Sequence, residues 1–274
     1  MSESMNFFAM QLTLIGVVLV MQVYLGLHIV RRTIIFSDLA LNQLAALGAL
    51  VGIGFGIAYG SIHSYYASLV AVLVGSLLLA SVRPANRLIP REAVIGIVYA
   101  LALVASLLCG DKLPRGDTYV EKTLSGSMLW VSWRLIIVTA LVYAGLMVFH
   151  YRYRRRFIAL TQDAEGSSGL WEFLFFATVG IVTVLIVPIA GVLLAYSLLM
   201  IPASIAAMFT RGWTGGIAGG WIVGFAACFA GLTASYYLNL PYGPALVLAL
   251  GLFFLVAVII RYAVPSKSPS RGEG

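Results

Sequence analysis

Across 274 residues the chain is 61% apolar and only 10% charged, with a formal net charge of +7, far from the roughly 25% charge of a water-soluble domain. That balance excludes a soluble enzyme and reads as a polytopic membrane protein, because about 20 apolar residues suffice for each helical crossing and the length holds eight or nine of them. The basic residues lie in short loops between apolar runs, where they set orientation, so the excess is no nucleic-acid footprint.

The first apolar run covers residues 7–30. It is too long for the core of a signal peptide and is followed, not preceded, by Arg31-Arg32, which predicts a retained span. The second, 39–59, opens with a polar trio, Asp38, Asn42 and Gln43. A carboxylate at membrane depth costs about 2.5–3.5 kcal/mol on insertion scales, so Asp38 either faces a partner or wet cavity, or caps the helix at its start. Asn42 shares its helical face, one turn on. The segment SIHSYY carries His63 at the outer end, where an incoming cation would meet it, and precedes a span over 65–82. Arg83, Arg87 and Arg91 then lead into a span at 93–109, and Lys112, Arg115 and Lys122 into one at 128–149. A basic run, Arg152 and Arg154 to Arg156, opens the longest loop, 150–171, which contains a short helical stretch ended by Gly166 and Gly169. Spans at 172–189 and 192–209 are separated by Pro188 and Gly191 and interrupted again at Pro202. They are two short spans or one broken helix, and such breaks are tolerated in lipid only beside protein or a water-filled path. Spans at 213–236 and 242–262 finish a single all-α transmembrane domain over 1–274.

If Arg31-Arg32 are cytoplasmic, so are Arg83, Arg87, Arg91, Arg152, Arg154, Arg155, Arg156, Arg211, Arg261, Lys267 and Arg271, which is 13 of the 17 basic residues. The positive-inside rule then sets a multi-pass protein with its N-terminus outside and its C-terminus in the cytoplasm. His28, His63 and His150 lie near span ends with no ligand spacing, which suits interfacial side chains. Cys109 and Cys228 are read as buried thiols, and the glycines of the second and eighth spans as close-packing positions. No phosphate-binding G-x-x-x-x-G-K-[ST], H-E-x-x-H or G-x-S-x-G occurs, so the chain offers neither a nucleotide cradle nor a hydrolase site.

Four stretches together resemble the permease subunit of bacterial ABC transporters for zinc, manganese or iron: GVLLAYSLLMIPASIA (191–206), ASYYLNLPYGPALVL (234–248), REAVIGIVYALA (91–102) and LSGSMLWVSW (124–133). The resemblance runs from about residue 20 to 260. It implies an importer of a divalent metal fed by an extracytoplasmic metal-binding protein in the bacterial inner membrane. It further implies two permease copies and a separate dimer of ATPase subunits that carries the ATP, so this chain itself is no enzyme and binds no cofactor. By position, a cytoplasmic coupling helix falls within Phe157 to Gly169, with Phe157, Asp163, Glu165, Gly166 and Gly169 as the coupling residues. The breaks at Pro188, Gly191, Pro202 and Asn239 mark helices beside the path.

At the polar trio the chain departs from that family's G-D-A-L-S-H-A pattern. Asp38 is kept, but Asn42, or Gln43 if one residue is inserted, stands where the His belongs, and Asn239 replaces a usual Asp. Carboxamides are uncharged oxygen donors, so Asp38, Asn42 and Gln43 suit a weak transit site for a metal, or a harder cation. The competing reading is an ion-coupled secondary transporter, or a permease of this kind with altered cargo. The former calls for further carboxylates deep in the spans, and none is present.

Overall fold

Thr33, with φ of 53°, turns the chain sharply out of its first helix, and breaks of this kind punctuate an otherwise helical protein. The computed structural model describes residues 2–81, 89–114, 116–126, 131–162 and 168–263. Asp163, Glu165 and Gly166 of the expected coupling segment lie outside the described residues, as do Arg83, Arg87, Arg115, Lys267 and Arg271.

The helices are α1 (Ser2–Arg32), α2 (Phe36–Gly54), α3 (Ile62–Ser81), α4 (Arg91–Asp111), α5 (Gly116–Ser125), α6 (Trp133–Arg152), α7 (Arg154–Gln162), α8 (Gly169–Phe209), α9 (Trp213–Leu238) and α10 (Tyr242–Ala263). Eight of them, all but α5 and α7, are long and apolar enough to cross a membrane. Among the described residues there is no strand. Helix ends depart from the expected apolar runs by up to five residues: α1 begins at 2 against 7, α6 at 133 against 128, and α2 ends at 54 against 59. That helix stops at Gly54 instead of continuing to 59, because Phe55 and Ile57 both donate back to the Gly52 carbonyl and Gly56 sits at φ of 82°. The apolar run continues through this turn, so composition alone hides the stop. The short α5 was also hidden, since GDTYVEKTLS has no apolar stripe long enough to stand out.

The decisive element is α8. Its 41 residues would stretch about 61 Å if straight, roughly twice a bilayer's hydrocarbon thickness. It is not straight: Gly191 has φ of 76° and ψ of 165°, a region open essentially to glycine alone. Two neighbouring arginines show where the halves go. Arg32 pairs with Glu172 at the start of α8, while Arg31 donates to the carbonyls of Arg211 and Gly212 just past its end, at 3.1 and 3.3 Å. Both ends of the segment therefore return to the same end of the bundle, and α8 consists of two antiparallel arms, 169–190 and 192–209. At 1.5 Å per residue the arms are about 33 and 27 Å long, each near one membrane thickness. The break is at the glycine; Pro188 and Pro202 sit within helical backbone on either side.

The rest of the protein packs around this doubled segment, with α1, α2, α3, α5, α9 and α10 all in contact with α8. Glycine permits the closest approaches. Gly26 of α1 lies against Leu199 and Ala203 of the second arm, and Gly220 and Gly224 of α9 lie against Pro202, so a Cβ at any of the three would overlap its neighbour. This is the small-residue packing by which membrane helices associate. In contrast α4, α6 and α10 leave long apolar faces exposed, for example at Leu101, Leu141 and Ile259, which suits lipid.

Replacing Gly191 by Ala forces a Cβ into that backbone region and is expected to cost about 1–3 kcal/mol. Gly145→Ala, where an added Cβ meets nothing within 4 Å, is expected to be neutral or to stabilise by up to about 1 kcal/mol through helix propensity. Thermal unfolding of the detergent-solubilised variants checks this, and equal behaviour of the two would contradict the assigned bend.

Candidate functional site

Asp38, Asn42 and Gln43 are all buried, none more than 2% exposed. The one-turn spacing brings the Asn42 Nδ2 to 2.9 Å from Asp38 Oδ2, to which it donates, while Asn42 Oδ1 is buried without a partner. Asp38 does not cap α2. The first-turn amide of Phe36 is taken instead by Glu92 Oε1 of α4, at 2.7 Å. Asp38 neither caps α2 nor, among the described residues, forms an ion pair, so the bond from Asn42 is what offsets its desolvation. Tyr143 of α6 and Tyr196 of the second α8 arm are its electrostatic neighbours, and the Tyr143 hydroxyl donates to the Val182 carbonyl of the first arm at 3.1 Å. The pair thus sits where α2, α6 and both arms converge. It offers a carboxylate and a free carbonyl oxygen, hard donors for a divalent ion. Among the described residues no group of three or more His, Cys, Asp or Glu side chains forms a multidentate metal cage.

Toward the arginine-bearing end lies a charged cluster that the sequence did not reveal. Glu172, 1% exposed in its side chain, pairs with Arg32 (2%) and with Arg91 (19%). Arg32 Nε and Nη1 have no hydrogen-bond acceptor, but its guanidinium lies over Phe175 at 5.1 Å, and that of Arg91 over Phe176 at 5.4 Å. The ring faces give the planar cations an electrostatic contact that water would otherwise supply.

The histidines differ from expectation. His28 and His150 are buried, at 0% and 1% exposure, not interfacial, and they anchor α7. His28 Nδ1 is 2.7 Å from Thr161 Oγ1 at the end of α7, and its ring packs on Trp213 at 4.3 Å. His150 stacks on Phe157 of α7 at 3.8 Å and 17°, and its nitrogens meet Tyr24 OH and Thr178 Oγ1, each at 3.1 Å. Phe157 is fully buried and therefore holds α7 to the bundle, while Arg154, Arg155 and Arg156 are exposed. Gly169 is exposed and begins α8. Residues 28 and 161, or 150 and 24, are too far apart in sequence for any local pattern to pair them.

At the opposite end a cavity of about 1010 Å³ opens between the α2–α3 turn, α3, α5, α6 and the first α8 arm, with Pro188 in its wall. His63 is exposed near this end, outside the lining and at the other end of the bundle from Asp38, so the structure does not bring the two together. Pro202 is buried against α9. Asn239 ends α9 with φ of 51° and ψ of 41°, a left-handed turn that Asn tolerates, and it is exposed. Cys109 and Cys228 are free thiols, the second buried.

A sequence model of the ABC 3 transport family matches residues 4–261. A probable metal transport system membrane protein of Chlamydia muridarum is 28% identical over 65% of this chain and 63% of its own length, so the match spans just under two thirds of that relative. Its counterpart in Chlamydia pneumoniae is 24% identical over 90% of this chain and 86% of its own. The chelated iron transport system membrane protein YfeD of Yersinia pestis is 24% identical over 66% and 63%. Among solved structures, PsaBC from Streptococcus pneumoniae in complex with Fab aligns with a TM-score of 0.72 at 20% identity over 90% of both chains. An inward-facing putative metal-chelate type ABC transporter aligns at 0.67 and 16% identity over 91% of this chain and 85% of that one. These two likenesses concern the fold alone, a bundle of long apolar helices.

Removing Arg32 strips a buried carboxylate of its nearest cation, which is expected to cost about 3–5 kcal/mol. Arg31→Ala loses bonds to backbone carbonyls near the surface and should cost only about 1–2 kcal/mol. Comparing the two melting curves checks the cluster, and equal losses would contradict it.

Proposed function

The chain belongs to the ABC 3 transport family, and on that premise we propose that it is the membrane-spanning permease of an ATP-driven importer for a divalent transition metal ion, zinc, manganese or iron. As a permease subunit it is not an enzyme, and ATP is hydrolysed by a separate subunit. The Asp38–Asn42 pair carries the reading: a buried carboxylate that caps no helix and, among the described residues, forms no ion pair, next to a carbonyl oxygen without a partner among them. Oxygen donors this few bind a divalent ion weakly, which suits a site an ion must enter and leave. The metal transport names of the chlamydial and Yersinia relatives support the cargo class.

The working assembly has two copies of this permease, an ATPase dimer on the arginine-bearing face and an extracytoplasmic metal-binding protein on the other. That face is cytoplasmic by the positive-inside rule, with the N-terminus outside. The ATPases engage α7 and the segment after it, Phe157 to Gly169. Movement of α7 reaches the spans through its two inward anchors, Thr161 on His28 and Phe157 on His150. The cytoplasmic ends of α1, α6, α8 and α9 thereby move as one with α7.

In proteoliposomes with the ATPase and capture protein, Asp38→Ala is expected to abolish metal uptake while the complex assembles and hydrolyses ATP; normal uptake would remove Asp38 from the path. Thr161→Val cuts the α7 bond to α1 and should raise the ATP consumed per ion several-fold without loss of ATPase activity. An unchanged ratio would mean coupling runs elsewhere.

A further inference from the structure

Helix α6 leans on α1 and touches α8 little, while α3 packs along the first α8 arm and makes at most marginal contact with α6. This splay leaves the cavity of about 1010 Å³, a slot between α3 and α6 floored by the arm through Ile181, Val184 and Leu185. Its lips face outward. Tyr66 of α3 and Val138 of α6 both line the slot and are 59% and 44% exposed, and Val70 and Leu141, about one turn deeper on the same helices, are exposed beside them. The slot therefore opens sideways, onto flanks that suit lipid.

Polarity is sorted along its length. Tyr59, Tyr119 and Lys122, Tyr66 near the start of α3 and Arg134 at the start of α6 surround the mouth, whereas Leu69, Val138 and Val142 continue inward as an apolar wall. From Arg134 to Val142 that wall runs about 12 Å, against about 15 Å for half of a bilayer's hydrocarbon core, so the slot spans one leaflet. Among the described residues no Asp, Glu or His lines it, and neither Lys122 nor Arg134 forms an ion pair. The acidic residues nearest in sequence, Asp111, Asp117 and Glu121, line a separate pocket. Basic residues are sparse at this end: the orientation leaves Lys112, Arg115, Lys122 and Arg134 there, and two of them meet at this one mouth. A divalent cation is repelled by that pair. A small soluble anion would satisfy the charges but leave the apolar wall uncovered. A second copy packed two-fold on this flank would set like charges against each other.

We propose that the slot is a binding site for one anionic phospholipid, its phosphate between Lys122 and Arg134 and an acyl chain lying along α6 and the first α8 arm. The guanidinium binds phosphate oxygens in a fork and the ammonium adds a point charge. Tyrosine rings with an apolar body and a polar tip belong at the level of lipid headgroups. Tyr59 and Tyr119 lie 5.8 Å apart between ring centres at that mouth, and burial raises the Tyr59 hydroxyl above its ordinary pKa, so it stays a proton donor. The lipid fills the space that α6 leaves open toward α3 and completes the wall of the bundle. This inference needs only that the chain spans a membrane, and does not draw on the cargo or on Asp38.

The test places the permease–ATPase complex in phosphatidylcholine nanodiscs with a trace of phosphatidylglycerol carrying a photoactivatable diazirine in one acyl chain, and maps the labelled peptides by mass spectrometry. Labelling within 135–142 and 181–189 is expected, at least about tenfold above that from a phosphatidylcholine probe with the same chains. Lys122→Gln combined with Arg134→Gln should reduce it about tenfold to thirtyfold, the weight of two basic side chains at an anionic lipid surface. Val138→Trp, which fills the slot, should reduce it as well. Lys112→Gln changes a basic residue of the same end that lies outside the lining and pairs with Asp111, and should leave the labelling unchanged. Equal labelling by the two probes, or a double variant that behaves like Lys112→Gln, overturns the proposal. Displacement of the probe by soluble glycerol phosphate would make this a site for free phosphate and overturns it too. Absence of label from both segments would mean that protein, such as a second copy, covers the slot. The readout is the position of a lipid label and not uptake, so its failure leaves the permease reading standing, and failure of metal uptake leaves the lipid site standing.

Discussion

Two consecutive arginines at the end of α1 hold the architecture in register. Arg32 reaches Glu172 at the start of α8 and Arg31 reaches the backbone just after its end, so one turn of α1 clasps both feet of a doubled segment. A carboxylate with 1% exposure and two guanidiniums is expensive to bury, and such clusters contribute little net stability compared with apolar packing. What this one supplies is position. The cations are planar and rest on Phe175 and Phe176, so the first arm, α1 and α4 have one way to fit together. Gly191 allows the return at the far end, and the glycines facing Leu199, Ala203 and Pro202 close the gap.

From that clasp the other parts follow in order along the bundle. The arginine-bearing end holds α7, pinned inward by Phe157 and Thr161 with its arginines left outside. Trp213 lies between Arg31 at 4.2 Å and His28 at 4.3 Å, which joins the clasp to the α7 anchor through one ring. Beyond it α2, α6 and the two arms converge on Asp38 and Asn42, and farther on lies the tyrosine-lined cavity. Each part shares an element with the next, so a displacement of α7 has a packed route to Asp38 and Asn42.

Much of this was legible in the sequence, and the failures have physical causes. The long helices follow from apolar runs, since lipid demands about 20 residues per crossing, whereas the short α5 does not. The end of α2 does not, because Gly56 turns an apolar stretch without changing its hydropathy. The break between 189 and 192 was visible as Pro188 and Gly191, but whether it made two spans depended on where the two ends went, which only the contacts of Arg31 and Arg32 decide. The oxygen pair was legible because i and i+4 face one way, whereas capping of α2 fell to Glu92, 56 residues away. His28 and His150 looked interfacial by position near span ends; packing of α7 over them makes them core. The cavity mixes residues of five segments and had no local signature.

The doubling of α8 is the claim on which the clasp, the convergence at Asp38 and the two-ended arrangement all rest. In a background lacking Cys109 and Cys228, spin labels at Leu170→Cys and Arg211→Cys, diluted with unlabelled chain, report the distance between the two feet by pulsed electron resonance. The bent arrangement predicts under about 25 Å, the reach of two neighbouring arginine side chains and their partners. A separation near 60 Å, the length of an unbroken helix over the same residues, would contradict it.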